Sequence, residues 1–353
     1  MTGNNYPLLS ICCLGYNHEN FLSENIQSII DINYKNIEVI VVDDGSKDNS
    51  VEELTKLSKK VPFQMKIISQ QNTGNIGKNF NNAYKEARGE LITFISLDDV
   101  YNAKVMKKQI YMMIEKSNIG FITSSKTVSI NDSGYINKKF NELPIHNKKN
   151  LRTNELLELE FSEFGAFYIQ GTIFRKSIVD AVNAFDEDMT GDDIVLRTKI
   201  LKYMIDNPIY SFEVMNDNSC YYRLHDNNIH KNTRRQIKIV TEYLEKYWGD
   251  RENPDVLIYW VNAYISNHKF SEYISLFALN KRASSLLLEL KVQEKIKKSI
   301  RKERLENLFK YIYKKEKFTS GVREVCLLSF IKLHYSKSKK HDLGPHYSDI
   351  KDQ

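Results

Sequence analysis

Cysteine is scarce in this chain: four residues in 353, with Cys12 and Cys13 adjacent inside an apolar run and Cys220 and Cys326 far away. That scatter excludes a disulfide framework and has no metal-thiolate spacing, so the cysteines read as small core residues in a protein suited to a reducing cytoplasm. Long apolar runs are lacking too. No stretch approaches the roughly 18 consecutive apolar residues of a membrane-spanning helix. The N-terminus has no basic start followed by an apolar core and a small-residue cleavage site, so no secretion signal is predicted. No internal repeat is visible. The first strand-like run leads into Leu14-Gly15-Tyr16-Asn17 rather than a Gly-x-Gly-x-x-Gly turn, which argues against a dehydrogenase.

Hydrophobic residues make up 41% of the chain, enough for a sizeable core. The length suits one large domain with an appendage, or two ordinary domains. Charge is distributed unevenly. Residues 291–340 hold 16 Lys or Arg against 5 Asp or Glu, a balance of +11, whereas the whole chain is +6, so the remainder sums to −5. A mildly acidic body therefore carries a basic tail.

The first hundred residues alternate between apolar runs and amphipathic stretches. Leu8 to Leu14, Ile37 to Val42, Met65 to Ile68 and Leu91 to Ile95 read as strands. Glu19 to Ile30, Ser50 to Lys59 and Ile76 to Ala87 carry apolar residues at helical spacing. Such alternation predicts an α/β fold with a mostly parallel sheet covered on both faces. Ligands in these sheets sit beyond the carboxyl ends of the strands. Residues 126–152 read as polar and irregular, with a turn at Asn131-Asp132-Ser133-Gly134. Mixed helix and strand return over 153–226. From 233 onward, Gly and Pro are few and apolar residues fall at helical spacing up to Lys332, which predicts a helical extension over 233–353 with a frayed polar end after Ser336.

Three acidic sites stand at strand ends or in loops. Asp43-Asp44-Gly45-Ser46 follows a Val-rich strand; taken alone, it is a turn and a helix cap. Ser96-Leu97-Asp98-Asp99 also follows a buried strand. Adjacent carboxylates there repel, and a divalent cation such as Mg or Mn would relieve the repulsion; a capped loop is the plainer alternative. Gly191-Asp192-Asp193 opens an amphipathic segment, where capping accounts for one acid and leaves the other available as a general base.

Taken in order, these pieces resemble the family 2, GT-A-fold glycosyltransferases. Gly15-Tyr16-Asn17 with Phe21-Leu22, then Val41-Val42-Asp43-Asp44-Gly45-Ser46, match the family's opening. Asn72-Thr73-Gly74-Asn75 with Lys78 looks like the family's next, glycine-containing segment, and Gly89-Glu90-Leu91-Ile92 leading into Asp98-Asp99 resembles its metal-binding strand end. Phe174-Arg175-Lys176, Phe185-Asp186-Glu187 and Asp192-Asp193 look like the acceptor-side half, and Tyr222-Arg223-Leu224-His225 with Asn228 is similar to the histidine motif that closes many such domains. The likeness runs over about residues 5–235. It implies a Rossmann-like GT-A catalytic domain over 1–232 and an inverting transfer from a nucleotide diphosphate sugar, a UDP-sugar by preference. By resemblance Tyr16 stacks on the base, with Asn17, Asp43 and Asp44 at the nucleotide and Asp44 on the base's polar edge. Lys78 faces the base or diphosphate. Asp98 lies near ribose and metal, Asp99 ligates the divalent Mn or Mg ion, and His225 reaches the diphosphate or metal. Asp193 matches the catalytic base, and Asp192 can exchange roles with it because the register beyond them is unusual. Ser96 stands where many relatives carry Asp, which bears on metal affinity.

The resemblance further implies a glycan or lipid-linked oligosaccharide acceptor in cell-surface polysaccharide synthesis. A nucleotidyltransferase would use similar carboxylates and be separated by release of pyrophosphate. An inactive sugar-nucleotide-binding relative is a third reading, against which stands the retention of all three acidic sites. Nucleic-acid binding is not expected, since the tail lysines are interspersed with Glu and no recognised module is present. The tail is expected either to pack as a helical bundle or to contact the cytoplasmic membrane face reversibly.

Overall fold

The computed structural model describes residues 6–225, 232–249, 251–317, 322–327 and 331–336. Its first part runs β1 (Leu9–Gly15), α1 (Leu22–Asp31), β2 (Ile37–Asp43), α2 (Ser50–Ser58), β3 (Gln64–Ser69), α3 (Ile76–Tyr84) and β4 (Leu91–Ser96), close to the sequence expectation. β3, β2, β1 and β4 lie side by side, all parallel. Their side chains alternate between two buried layers: along β2, Ile40 and Val42 join one, and Ile37, Val39 and Val41 the other. A strand buried on both faces needs apolar residues at every position, which explains the unbroken runs. Cys12 and Cys13 are buried free thiols on opposite faces of β1, as small core residues.

Beyond β4 come β5 (Val100–Tyr101), α4 (Ala103–Glu115), β6 (Ile119–Ile130), β7 (Ile136–Glu142), α5 (Thr153–Glu163), β8 (Ile173–Arg175), α6 (Lys176–Ala181), α7 (Asp193–Asp206) and β9 (Ser211–Arg223). The nine-stranded sheet has the order β3-β2-β1-β4-β8-β6-β9-β5, with β7 added on β6. β8 pairs antiparallel with both β4 and β6, so the sheet is parallel only in its first half and mixed thereafter. The stretch read as irregular over 126–152 opens with the end of β6 and with β7, joined through the turn at 131–134, and is irregular only beyond Glu142. Its Ser and Thr residues hid the strand: Thr123, Ser125, Thr127 and Ser129 are buried, and Thr123 bonds Thr172 at 2.7 Å.

The C-terminal region packs α8 (Thr233–Trp248), α9 (Asp255–Asn267), the short α10 (Phe270–Tyr273), α11 (Lys281–Ser285) and α12 (Leu290–Ile312) onto α5 and α7. A third apolar cluster joins Phe161, Ile194 and Val195 of the sheet domain to Ile237, Tyr243, Leu257, Val261 and Val292. The helical reading fails after Ile312. There β10 (Tyr313–Lys317), β11 (Val322–Leu327) and β12 (Ile331–Ser336) form a three-stranded antiparallel sheet. Ile331, Leu333 and Tyr335 alternate with polar residues, the period of a strand rather than a helix. The expected frayed end after Ser336 lies outside the described residues. No described helix is long and apolar enough to cross a membrane.

Candidate active site

The carboxyl ends of β1, β2 and β4 deliver the loops that carry most of the predicted residues. At the end of β1, Tyr16 is 39% exposed, an aromatic face open to a ligand. Asn17 adopts φ +57°, a left-handed conformation that Asn tolerates. Its side chain accepts from Lys47 N at 2.8 Å, and its own N–H donates to Ser46 Oγ at 2.8 Å, so it fastens the β1 loop to the β2 loop. Asp43 is buried and accepts from Ser46 N at 3.0 Å and from the Ser46 hydroxyl, which is the turn role the plain reading gave it.

Asp44 does something else. Its carboxylate accepts from Thr73 N at 2.8 Å, Gln70 Nε2 at 3.0 Å and Gly74 N at 3.3 Å, and so draws the 70–74 loop against the end of β2. Gly45 makes room for this approach: a Cβ there would lie 2.7 Å from Asn72 N, at φ +76°. Lys78 is exposed in the first turn of α3, whose N-cap Asn75 accepts from Lys78 N at 2.9 Å. Nucleotide candidates thus occupy three loops that the backbone holds together.

After β4, Asp98 and Asp99 diverge. Asp99 is buried, and its carboxylate accepts from Arg223 N at 2.9 Å. Burial, then the charge of Asp98, pushes its carboxyl well above the usual range. Asp98 instead meets two imidazoles: His225 Nε2 is 3.0 Å from its Oδ2 and His18 Nε2 is 3.9 Å away. Burial would raise the Asp98 carboxyl, but the His225 bond and nearby His18 hold it below its ordinary value. Burial lowers the His18 imidazole, which Asp98 partly opposes. Donor atoms of His18, Asp98 and His225 all lie within 4.8 Å of one another. Asp98 Oδ1 is buried with no hydrogen-bond partner, as is His18 Nδ1. A carboxylate whose Oδ2 meets imidazoles and whose Oδ1 has no partner offers the donor chemistry that a divalent cation satisfies. The three residues fit such an ion; Asp99 does not join them.

Arg223, fully buried, braces this corner. It donates from Nε to Asp98 O and from Nη1 to Asn131 O, both at 2.7 Å, pairs with Glu24, and lies 4.7 Å from the Phe21 ring centroid. His18 was missed by sequence reasoning because it precedes Asp98 by 80 positions with no motif of its own. Asn228 lies outside the described residues.

The acceptor-side acids open α7. Asp192 is its N-cap residue, and burial followed by the Asp193 charge pushes its carboxyl up to about 7. Asp193 accepts from Ile194 N at 2.7 Å and from Arg197 Nη1 at 2.9 Å. Tyr168 and Tyr222, with ring centroids 6.3 Å apart, feel the charge of both Asp193 and Asp99, and Tyr222 that of Asp98 as well. Arg235 of α8 acts on Asp192. Asp193 is held through Arg197 at the start of α7, and Asp192 precedes it as the N-cap residue. A cleft lined by Ser124, Lys126, Tyr168, Gln170 and Tyr222 runs beside these rings.

The family model described as "Glycosyl transferase family 2" matches residues 10–180. Curated relatives include a "GalNAc(5)-diNAcBac-PP-undecaprenol beta-1,3-glucosyltransferase" of Campylobacter jejuni, 25% identical over 196 residues, 56% of this chain and 60% of that one. The "UDP-Glc:alpha-D-GlcNAc-diphosphoundecaprenol beta-1,3-glucosyltransferase WfgD" of Escherichia coli is 32% identical over 126 residues, 36% of this chain and 48% of that one. The chain thus spans between about half and two thirds of these relatives' length. Among solved structures, S. aureus TarS 1-349 in complex with UDP-GlcNAc shares the fold with TM-score 0.57 and 16% identity, covering 94% of this chain and 100% of that one. Mannosyltransferase PcManGT from Pyrobaculum calidifontis, in complex with GDP-Man and Mn2+, has TM-score 0.51 and 15% identity, covering 86% and 88%. The architecture is GT-A-like.

Proposed function

Since residues 10–180 belong to glycosyl transferase family 2, we propose that the protein moves a sugar from a UDP-sugar to a hydroxyl of a glycan or lipid-linked oligosaccharide, inverting the anomeric carbon. The observation that carries this reading is the group of His18, Asp98 and His225 beyond β4, with Asp98 Oδ1 buried and without a hydrogen-bond partner; Asp193, held by Arg197 at the start of α7, is the candidate base. The two relatives that act on undecaprenol-linked substrates support the acceptor class, and WfgD the uridine nucleotide.

Tyr16 offers its exposed ring to the base, and Asp44 presents a carboxylate already oriented by the 70–74 loop. Lys78 carries its charge toward the diphosphate from the start of α3. Asp98, His225 and His18 are the residues that would hold a divalent cation, Mn or Mg. When bound, such an ion supplies Lewis-acid stabilisation of the leaving diphosphate. Asp193 takes the proton of the acceptor hydroxyl as that oxygen attacks the anomeric carbon. The bond from that carbon to the diphosphate oxygen breaks on the opposite face and its electron pair leaves with UDP. Arg197 fixes the carboxylate that performs this step.

The test is UDP release from a panel of UDP-sugars, with and without a chelator. Asp193→Asn should retain donor binding and lose about two to four orders of magnitude in turnover, the usual range for removing a general base. If Asp192→Asn causes that loss instead and Asp193→Asn is nearly silent, the base is Asp192. Full activity in chelator for the unmutated protein would remove the cation from the reaction.

A further inference from the structure

Glu160, on α5, is a fully buried carboxylate for which the proposed transfer has no use. It faces Arg197 of α7, whose side chain is 2% exposed. Arg197 donates from Nε and Nη2 to Glu160 Oε1 at 2.9 and 2.7 Å, and from Nη1 to Asp193 Oδ2 at 2.9 Å. The other Glu160 oxygen accepts from Ala166 N at 3.0 Å, and the Phe167 ring lies 5.5 Å from the guanidinium. One cation is therefore shared by two carboxylates, the first sealed and the second 34% exposed.

That sharing has a chemical consequence. A buried guanidinium paired with Asp193 alone would favour its ionised form so strongly as to weaken it as a proton acceptor. A second carboxylate on the same guanidinium offsets that charge, leaving the triplet one negative charge in total. We propose that Glu160 is a positioning residue that takes up the charge of Arg197, so that Arg197 orients Asp193 without quenching its basicity. The inference rests on Asp193 being the base. Other titratable groups that feel the charge of Asp193 are Asp192 beside it, Tyr168 from the loop after α5 and Tyr222 from β9; Arg235 acts on Asp192, and Tyr243 of α8 feels Glu160. Glu160 is distinguished from these by sharing the ion pair itself.

The experiment is a pH titration of the full chain carrying aspartate labelled with 13C at the carboxyl, the Asp193 resonance being identified by its loss in Asp193→Asn. UDP release from UDP-glucose is followed over the same pH range. Glu160→Gln should lower the Asp193 midpoint, and the acid limb of the rate profile, by about one pH unit, since Arg197 then bears on Asp193 alone. Arg197→Gln should move both upward, and Glu160→Asp, which keeps the charge, should restore the midpoint. An unmoved or raised midpoint in a folded Glu160→Gln protein overturns the proposal. Unimpaired UDP release by Asp193→Asn would instead overturn the assignment of the base, whatever the midpoints do.

Discussion

At the scale of single residues, the adjacent acids after β4 have separate duties. Asp99 binds the backbone of Arg223, and Asp98 stands between two histidines. Binding of Mn2+, followed by the loss of the free-ion spectrum in electron paramagnetic resonance, should reflect this division. Asp98→Ala should abolish binding and His18→Ala weaken it by about tenfold or more, in the range for removing a metal-site partner. Asp99→Asn can still accept from Arg223 N and should bind Mn2+ nearly as the unmutated protein does. Loss with Asp99→Asn and none with His18→Ala would return the ligand role to Asp99. The aspartates and His225 were legible because each stands at a strand end within a motif. His18 was not, since nothing local marks it: its meeting with Asp98 and His225 exists only once the loops after β1 and β4 and the end of β9 are brought together by the fold. Arg197 and Glu160 escaped for a related reason, being an arginine and a glutamate in two amphipathic helices whose faces the sequence alone does not pair.

Among elements, the parallel half of the sheet is secured at the end away from the site. Glu38 of β2 accepts from Ser10 Oγ of β1 at 2.6 Å, from Arg88 N at 2.7 Å and from the Arg88 guanidinium, while Ser10 Oγ accepts from Gly89 N at 2.7 Å. A buried carboxylate thereby ties two strands to the turn that enters β4. Burial pushes the Glu38 carboxyl up, but the bonds from Ser10 and Arg88 outweigh it and hold the group below its ordinary value. With a lowered folded-state value, the stabilisation is complete above the unfolded glutamate pKa of about 4.3 and fades as pH falls through the folded value. Glu38→Gln should therefore lower stability to urea by roughly 1–3 kcal/mol at neutral pH, the cost of weakening bonds to a buried charged group. The difference should shrink in acid; a constant difference down to low pH would contradict it. Elements of this parallel half were legible because their apolar runs are unbroken. β6 was not, because hydroxyls break up its apolar residues: Thr123 and Ser125 are buried and pair with Thr172 and His146. β10 to β12 were hidden by Lys-rich flanks that resemble those of the preceding helices.

For the whole molecule, the helical extension is fused to the sheet domain through one apolar cluster, and its outer side is both basic and apolar. Leu288 and Leu290 are 78% and 75% exposed at the start of α12, and Lys297, Lys298, Arg301 and Lys302 stand in solvent beyond them. Anionic lipid attracts such residues by roughly 1 kcal/mol each near the surface. Sedimentation with vesicles containing anionic lipid should show binding at low salt that weakens at high salt. Changing those four basic residues to Gln should weaken it further while leaving Val292 and Ile296 packed. No binding at low salt would leave the extension with a structural role alone. The bracing by Arg223 bears on how the chain reaches this form. Ser96, the last residue of β4, precedes Arg223 by 127 positions, so a growing polypeptide completes its parallel strands long before the guanidinium that secures the Asp98–Asp99 corner has been synthesised. Closing that corner demands contact across most of the domain, which places it among the slow, non-local events of folding. Nascent chains interrupted before β9 would hold the nucleotide loops but not the corner that completes them, and it is at this stage that quality control by chaperones has most to act upon.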